Sequence, residues 1–338
     1  MFPNTTNAIS MKPVEIQDAP CVKGRNYFKP FKYPWAFELA MKHEKIHWVP
    51  TEVSLGNDVS DWNANLTADE KNLLTQLFRF FTQADVDVLQ GYAGKFLPTF
   101  YRTPELAAAL SSIAAREMVH VWGYSYLLET VGMPETEYKA FLSYAEMAEK
   151  EEFVLSFDCD TPENVAKTLA VYGAFTEGLQ LFSSFAILMN FPRFRKMQGM
   201  GKIVEWSIRD ENLHVEVITN LYKTWLEENP QIDRVKLEAE IYDICQKMVE
   251  LEDHFIDLAF GVGKIEGLTK EEVKQYIRNI ADKRLAQLNM APIYNVPNPL
   301  EDWLDLLLYG AKKTNFFENR ETKYSRGAIQ FDEENTEW

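Results

Sequence analysis

The phrase Glu-x-x-His occurs twice in this chain, as Glu117-Met-Val-His120 and Glu211-Asn-Leu-His214. Residues three apart on an α-helix lie on the same face, so each phrase aims a carboxylate and an imidazole at one point. A further carboxylate, Glu177, lies between the two phrases in a strongly apolar segment. Carboxylates and imidazoles presented in this way by several helices are the ligands of a carboxylate-bridged two-metal centre inside a four-helix bundle.

The sequence around these residues predicts that they are buried. Residues 111–124 and 170–186 consist mostly of small and apolar side chains, and a helix that is apolar on all sides belongs in a core. An ionised carboxylate buried without a partner normally takes up a proton, so ionised core glutamates require nearby cations. We interpret those cations as metal ions. The alternative is an ion pair between Glu177 and an arginine such as Arg116 or Arg209.

The composition fits a large core and excludes several classes of partner. Of 338 residues, 46% are hydrophobic, and they include 22 Phe, 15 Tyr and 8 Trp. The net charge of −16 argues against nucleic acid and anionic membranes, since both are polyanions. The sequence shows neither a secretion signal nor about twenty consecutive apolar residues, so we expect no membrane span. Three widely spaced cysteines, Cys21, Cys159 and Cys245, predict reduced thiols in a cytoplasmic protein.

The pattern of apolar residues predicts an all-α protein. Thr67-Ala-Asp-Glu70 is a capping box that begins a long helix reaching Tyr92, and Thr103-Pro104 begins the next helix, which Gly132 ends. Neither sustained alternation nor a hairpin turn of the Asn-Gly or Asp-Gly type occurs. Further helices are predicted over 34–47, 136–151, 162–190, 194–228, 232–260 and 269–289.

We divide the chain into an irregular segment (1–30), a dimetal-carboxylate domain (31–290) and a C-terminal segment (291–338) in which prolines break the helical pattern. The last eight residues contain four acids, together with Phe331 and Trp338. A charged terminus is commonly a solvated tail, but large apolar groups favour docking on a partner.

Several phrases resemble those of one known family. They are His47-Trp-Val-Pro-Thr-Glu52, Phe80-Phe-Thr-Gln-Ala-Asp85, Glu117-Met-Val-His-Val-Trp-Gly-Tyr124, Glu177 with Phe185, Arg209-Asp-Glu-Asn-Leu-His214, and Lys313-Thr-Asn-Phe-Phe-Glu-Asn-Arg320 with Tyr324. From about His47 to Tyr324, the chain resembles the radical-generating small subunit of class I ribonucleotide reductase. The resemblance implies a homodimer of ferritin-like subunits. Each subunit would store an oxidising equivalent for a separate large subunit, which reduces ribonucleotides to deoxyribonucleotides. From the acids, Phe331 and Trp338 of the tail, we expect the tail to dock on that large subunit.

The resemblance implies two metal ions per chain and six ligands. One ion would be held by Asp85, Glu117 and His120, and the other by Glu177, Glu211 and His214, with Glu117 and one further glutamate bridging. An iron pair is favoured, but Mn/Fe and Mn/Mn stay open because oxygen and imidazole donors accept all of them. Asp87 competes with Asp85 for the first position. Residues two apart on a helix point in different directions, and Asp85 follows Phe80 and Phe81 at the family's spacing.

The resemblance also implies a path for the oxidising equivalent. Tyr124, one turn beyond His120, would carry a stable phenoxyl radical, whereas the nearby Tyr126 faces elsewhere. Trp48 and Asp210 would begin the transfer path with His120. Tyr324 would be the last stepping stone before the large subunit.

Three further points stay open from the sequence. Leu181 and Phe185 are expected to form an apolar wall around the radical, although some family members place an aromatic residue at the position of Leu181.

Alternatively, Tyr124 is a core residue without a redox role, and its hydroxyl is then satisfied by a neighbour such as Asp85. Two other functions compete with the reductase subunit: another ferritin-like dimetal oxidase or oxygenase, and a storage protein.

Overall fold

The computed structural model describes residues 21–25, 27–134, 145–261, 265–305 and 307, apart from the side chains of 79–82 and 147. The described residues contain no β-strand, so the predicted all-α class is confirmed. The tail residues Tyr324, Phe331 and Trp338 lie outside the described residues, as does the greater part of the N-terminal segment.

The chain order of the helices follows the predicted pattern closely. The α-helices are α1 (Pro34–Lys45), α2 (Gly56–Ser60), α3 (Ala68–Gly91), α4 (Leu97–Phe100), α5 (Pro104–Thr130), α6 (Ala145–Leu155), α7 (Pro162–Leu169), α8 (Phe182–Arg193), α9 (Gln198–Glu228), α10 (Arg234–Gly261) and α11 (Lys270–Gln287). Wider π-helical turns cover Asp61–Asn65, Tyr92–Phe96, Ala170–Gln180 and Glu301–Asp305, and Pro50–Glu52 forms a 3₁₀ turn. We call Ala170–Gln180 the π segment. Part of the helix predicted over 136–151 lies outside the described residues, and α6 covers its end.

Four of these elements surround the centre of the molecule: α3, α5, the π segment and α9. Helix α3 packs along α5, α9 packs along the π segment, and α1 covers the outer side of α5. Their inward faces carry fully buried side chains such as Leu77, Leu127 and Leu221. Each such leucine stabilises the fold by roughly 1.5–3 kcal/mol relative to an exposed position. The bundle therefore holds its central residues on four packed helices.

The predicted start of α3 is confirmed in detail. Thr67 Oγ1 accepts from the backbone N–H of Glu70 at 3.2 Å, and the Glu70 carboxylate accepts from the backbone N–H of Thr67 at 2.8 Å. This reciprocal pair satisfies two of the backbone donors that a helix start leaves free. The end of α5 is also as predicted, because Gly132 follows it with a φ of +76°.

The helix predicted over 162–190 is not one continuous α-helix. It consists of α7, the π segment and α8, which begins after Leu181. Every residue of the π segment is buried, so its sequence has no apolar stripe whose period could have revealed the change. At the end of the segment, Arg284 Nε donates to the carbonyl of Gly178 at 2.7 Å. That contact satisfies a buried backbone acceptor at the junction.

Helix α9 begins four residues later than predicted, at Gln198 rather than at 194. Arg195 and Met197 adopt left-handed backbone conformations, with φ of 60° and 52°, which interrupt the helix. The Asp58 carboxylate accepts from the backbone N–H groups of Gly199 at 2.9 Å and Met200 at 2.7 Å. A carboxylate at this end of a helix also interacts favourably with the helix dipole. The start of α9 is therefore fixed by a buried cap.

Two further findings concern membrane spans and cysteines in the described residues. None of the helices in this part of the chain is long and apolar enough to cross a membrane. Cys21, Cys159 and Cys245 are all free thiols, as predicted. Burial raises the pKa of the Cys159 thiol to about 11 and that of Cys245 to about 12.

The contact between the π segment and α9 generates a prediction for stability. A Cβ atom on Gly173 would lie 2.3 Å from Cγ2 of Ile218, so Gly173→Ala should reduce the free energy of unfolding by about 1–3 kcal/mol. Gly94 has no atom within 4 Å of the corresponding position. Gly94→Ala should leave stability unchanged or raise it by up to about 1 kcal/mol. Urea denaturation of both metal-free variants measures the difference, and equal stabilities would contradict this packing.

Candidate metal centre

The structure brings all six residues expected to bind metal together in the centre of the bundle. Each has at most 1% of its surface exposed. They lie on four different elements: Asp85 on α3, Glu117 and His120 on α5, Glu177 in the π segment, and Glu211 and His214 on α9. They form two overlapping groups, in each of which one ligand atom per residue lies within 4.8 Å of all the others. The two groups share Glu117 and Glu211.

The two shared glutamates lie between the two histidines. Glu117 places Oε2 at 3.2 Å from His120 Nδ1 and Oε1 at 2.9 Å from His214 Nδ1. Glu211 places Oε1 at 3.1 Å from His120 Nδ1 and Oε2 at 3.2 Å from His214 Nδ1. Each glutamate thus presents one oxygen to each half of the cluster. Carboxylates that bridge two metal ions have this arrangement.

Several polar atoms in the cluster have no hydrogen-bond partner. They are Asp85 Oδ2, Glu117 Oε1, Glu177 Oε1, both carboxylate oxygens of Glu211, and His214 Nδ1. The other oxygen of Glu177 accepts from the hydroxyl of Tyr92 at 2.9 Å. Some of these atoms face one another, as Glu117 Oε1 and His214 Nδ1 do at 2.9 Å, but none makes a hydrogen bond. Buried polar atoms are nearly always hydrogen-bonded in folded proteins, so this concentration of exceptions requires an explanation. Cations bound by these atoms would supply it.

Burial also shifts the protonation of the cluster. It raises the pKa of Asp85 well above its usual range, although the nearby His120 opposes the shift. It raises the pKa of Glu177 in the same way, against the opposing effect of His214. For Glu117, burial acts in the same direction, but His214 and His120 outweigh it and lower the pKa to about 2. Without cations, Asp85 and Glu177 therefore retain protons, which a bound metal must displace.

The donor set fits two divalent cations. When its four carboxylates are ionised and its two imidazoles are neutral, the cluster carries a formal charge equal and opposite to that of two divalent cations. The oxygen and imidazole donors suit iron and manganese. A nearby fifth carboxylate, Asp210, is already compensated by Arg116 at 3.5 Å and Arg209 at 3.3 Å. Neither arginine contacts Glu177, so the ion-pair alternative fails.

The two competing aspartates differ in their positions. Asp85 joins the cluster, whereas Asp87 accepts from Gln83 Nε2 at 2.8 Å outside it. The two side chains leave α3 in different directions, as expected for residues two apart on a helix.

Tyr124 lies one turn beyond His120 on α5 and is almost completely buried. Its hydroxyl donates to Ser207 Oγ at 3.1 Å, and Ser207 in turn donates to the carbonyl of Ile203 at 3.2 Å. Burial raises the pKa of the Tyr124 phenol well above its usual range. The phenol is therefore neutral at physiological pH. Leu181 and Phe185, the residues expected to wall a radical, are also buried.

Trp48, Asp210 and His120 form a connected group next to the cluster. Trp48 Nε1 donates to Asp210 Oδ2 at 2.7 Å, and His120 Nε2 faces the same oxygen at 3.4 Å. The indole and imidazole rings are nearly parallel, with centroids 6.0 Å apart. Asp210 thus connects a buried indole to one of the histidines of the cluster.

Three residues in contact with the site were not identified from the sequence. Tyr92 lies seven residues after Asp85, which is two helical turns on the same face, and Ser207 lies one turn before Glu211. That spacing could have revealed both. The third is His43, whose Nε2 lies 3.2 Å from Nε2 of His214. No spacing signal connects two residues so far apart in the chain.

Comparison with known proteins places this geometry in a family. A family model described as ribonucleotide reductase, small chain, matches residues 25–299. The chain belongs to the ribonucleotide reductase small-chain family. A probable ribonucleoside-diphosphate reductase small subunit of Invertebrate iridescent virus 6 is 41% identical over 90% of this chain and 95% of that protein. The corresponding protein of Invertebrate iridescent virus 3 is 42% identical over 91% and 86%.

Solved structures of the family share the fold. A putative class I ribonucleotide reductase from Bacillus halodurans superposes with a TM-score of 0.74 at 26% identity, over 81% of this chain and 99% of that one. The small subunit from Clostridium botulinum gives a TM-score of 0.76 at 24% identity, over 82% and 89%. The predicted ferritin-like bundle is therefore confirmed.

The positions of the two aspartates generate a prediction for metal binding. Asp85→Asn keeps the size of the side chain but removes a charged metal ligand. Loss of a residue that merely contacts a ligand typically weakens metal binding by about tenfold or more, so the affinity for one metal ion should fall by at least about tenfold. Asp87→Asn is the matched control and should bind metal like the unaltered protein. Metal content after dialysis against a weak chelator measures both. Equal metal loss from the two variants would contradict the assignment of Asp85.

Proposed function

We propose that the chain is the radical-storing small subunit of a ribonucleoside-diphosphate reductase. One observation carries the proposal: a buried cluster of four carboxylates and two histidines has a buried tyrosine, Tyr124, one helical turn beyond its His120. The relatives at 41% and 42% identity are named as small subunits of that enzyme. The substrate class proposed for this chain, ribonucleoside diphosphates, rests on those names.

The six clustered residues would hold two metal ions per chain, with Glu117 and Glu211 as the bridging carboxylates. We favour two irons, and Mn/Fe or Mn/Mn pairs use the same donors. Bound metals of this kind supply one-electron oxidising power after reaction with an oxygen species. The distances from each bridging glutamate to both histidines support this division of ligands.

Tyr124 would store the oxidising equivalent as a neutral phenoxyl radical. Forming the radical would remove one electron and the hydroxyl proton from Tyr124 together, and the oxidant supplied at the metal centre would take up both. Ser207 Oγ, at 3.1 Å, holds the hydroxyl in one orientation beforehand. Burial excludes water and soluble reductants that would quench the radical.

Trp48, Asp210 and His120 would begin the path along which the equivalent leaves the subunit. Asp210 fixes the orientation of the His120 ring and accepts the indole N–H of Trp48. Tyr324, in the C-terminal segment, would be the last residue on the path before the large subunit.

Replacement of Tyr124 tests radical storage. Tyr124→Phe deletes only a hydroxyl, so the fold and metal content should be unchanged, while the tyrosyl radical signal in low-temperature electron paramagnetic resonance should disappear. Tyr126→Phe, two residues away on a different face, should retain the signal. A tyrosyl radical of full intensity in Tyr124→Phe would contradict the assignment.

We also propose that the subunit forms a homodimer through α5. Met118 and Trp122, one turn apart on this helix, have 52% and 45% of their surfaces exposed. Large apolar side chains grouped on an exposed helix face indicate an interface. Trp122→Glu should convert the dimer to a monomer in sedimentation velocity. Val235→Glu, at an exposed apolar position on α10, is the control and should stay dimeric. A dimeric Trp122→Glu variant would place the interface elsewhere.

Two changes in the C-terminal segment should separate its docking on the large subunit from transfer of the oxidising equivalent. Deletion of 329–338 removes Phe331, Trp338 and the four acids, so it should weaken binding to the large subunit while the radical stays intact. Tyr324→Phe should bind normally but stop nucleotide reduction. Binding and turnover with the cognate large subunit measure both effects. Undiminished binding by the truncated chain would rule out docking, and normal turnover by Tyr324→Phe would rule out the relay.

A further inference from the structure

The two histidines of the cluster have different partners on their outer nitrogens. His120 Nε2 faces the carboxylate of Asp210, but His214 Nε2 faces another imidazole, that of His43, at 3.2 Å. His43 lies on α1 and has 2% of its surface exposed. Its ring is roughly perpendicular to that of His214, with centroids 4.9 Å apart.

The contact continues from His43 to the protein surface. His43 Nδ1 lies 2.9 Å from Ser112 Oγ, and Ser112 Oγ donates to Glu44 Oε1 at 2.6 Å. The side chains of His43 and Ser112 therefore connect His214 to the solvent-exposed carboxylate of Glu44 through one chain of hydrogen bonds. The members come from α1 and α5, and they converge only in the folded protein.

The direction of every hydrogen bond in this chain follows from its outer end. A carboxylate in water accepts hydrogen bonds, so the hydroxyl of Ser112 must donate to Glu44. The oxygen of Ser112 is then the acceptor for His43 Nδ1–H. A neutral imidazole with a proton on Nδ1 has a lone pair on Nε2. His43 Nε2 consequently accepts, and His214 Nε2 must donate.

The same direction follows from the inner end. His214 Nδ1 lies among the oxygens of Glu117, Glu177 and Glu211, so this nitrogen faces the place where a metal ion would bind. A histidine binds metal as a neutral ring through a lone pair, which leaves its proton on the other nitrogen. That nitrogen is Nε2, the donor to His43. Both ends of the chain thus require the same tautomer.

We propose that His43 is a positioning residue for the metal subsite that contains His214. Through the hydrogen-bond chain Glu44–Ser112–His43, it holds His214 in the Nε2–H tautomer and fixes the orientation of its ring. This role rests on the proposed function, since it requires that His214 bind a metal ion. The guanidinium of Arg116 keeps His43 in place by donating to its backbone carbonyl at 3.3 Å. Because Arg116 also lies 3.5 Å from Asp210, it connects the outer partners of both histidines.

Mn²⁺ binding to the full chain tests the role without any need for reductase activity. The electron paramagnetic resonance signal of unbound Mn²⁺ gives the number and affinity of the sites. His43→Leu fills the space but provides no acceptor, so one of two Mn²⁺ ions should bind about 10–100-fold more weakly. His43→Gln should restore most of the affinity, because its amide accepts from His214 and donates to Ser112.

Two further variants separate this effect from packing. Ser112→Ala removes the next member of the chain and should weaken the same site, but less than His43→Leu. His47→Leu replaces an exposed histidine four residues away and should bind like the unaltered protein. Unchanged Mn²⁺ affinity in His43→Leu would overturn the role of His43, as would equal weakening in His43→Leu and His43→Gln. If the unaltered chain failed to bind two ions, that result would contradict the proposed function and, with it, the role of His43.

Discussion

The burial of four carboxylates at one point is the constraint on which this structure depends. Each ionised carboxylate in a core costs several kcal/mol unless a cation compensates it, and the arginines nearest the cluster are already paired with Asp210. A cluster of this kind is tolerable only if its carboxylates or its histidines carry compensating protons, or if metal cations occupy the site. The precise positions of the oxygens around two histidines favour cations, because protonated carboxyls would need no such convergence.

Other features of the fold follow from the need to hold these groups without water. Four helices supply ligands, so each helix must be fixed along its own axis as well as packed sideways. The buried cap at Asp58 fixes α9, and the capping box at Thr67 fixes the start of α3. The π segment approaches α9 closely through Gly173, where any larger residue would collide with Ile218. The outer partners Asp210, Tyr92 and His43 then orient individual side chains.

Much of this arrangement could be predicted from the sequence. Each Glu-x-x-His phrase predicted that its glutamate and its histidine point the same way, because helical spacing places residues three apart on one face. The repetition of the phrase predicted that both pairs belong to one metal site. The separation of Asp85 from Asp87 followed from the same geometry. The π segment could not be predicted, since a helix buried on all sides shows no periodicity. The contact of His43 with His214 could not be predicted either, because it depends on how α1 packs against α5 and α9. Docking of the tail was inferred from Phe331, Trp338 and the four acids, whereas the role of Tyr324 was assigned from resemblance, and both remain predictions.

The central claim is that the buried cluster holds two metal ions. Anomalous X-ray scattering from crystals of the metal-loaded protein, recorded at the absorption edge of the bound metal, tests it most directly. The account predicts two peaks within the cluster, with Glu117 and Glu211 contacting both ions and with His120 and His214 each contacting one. A single peak, or a structure in which Glu177 or His214 points away from the metal, would contradict it.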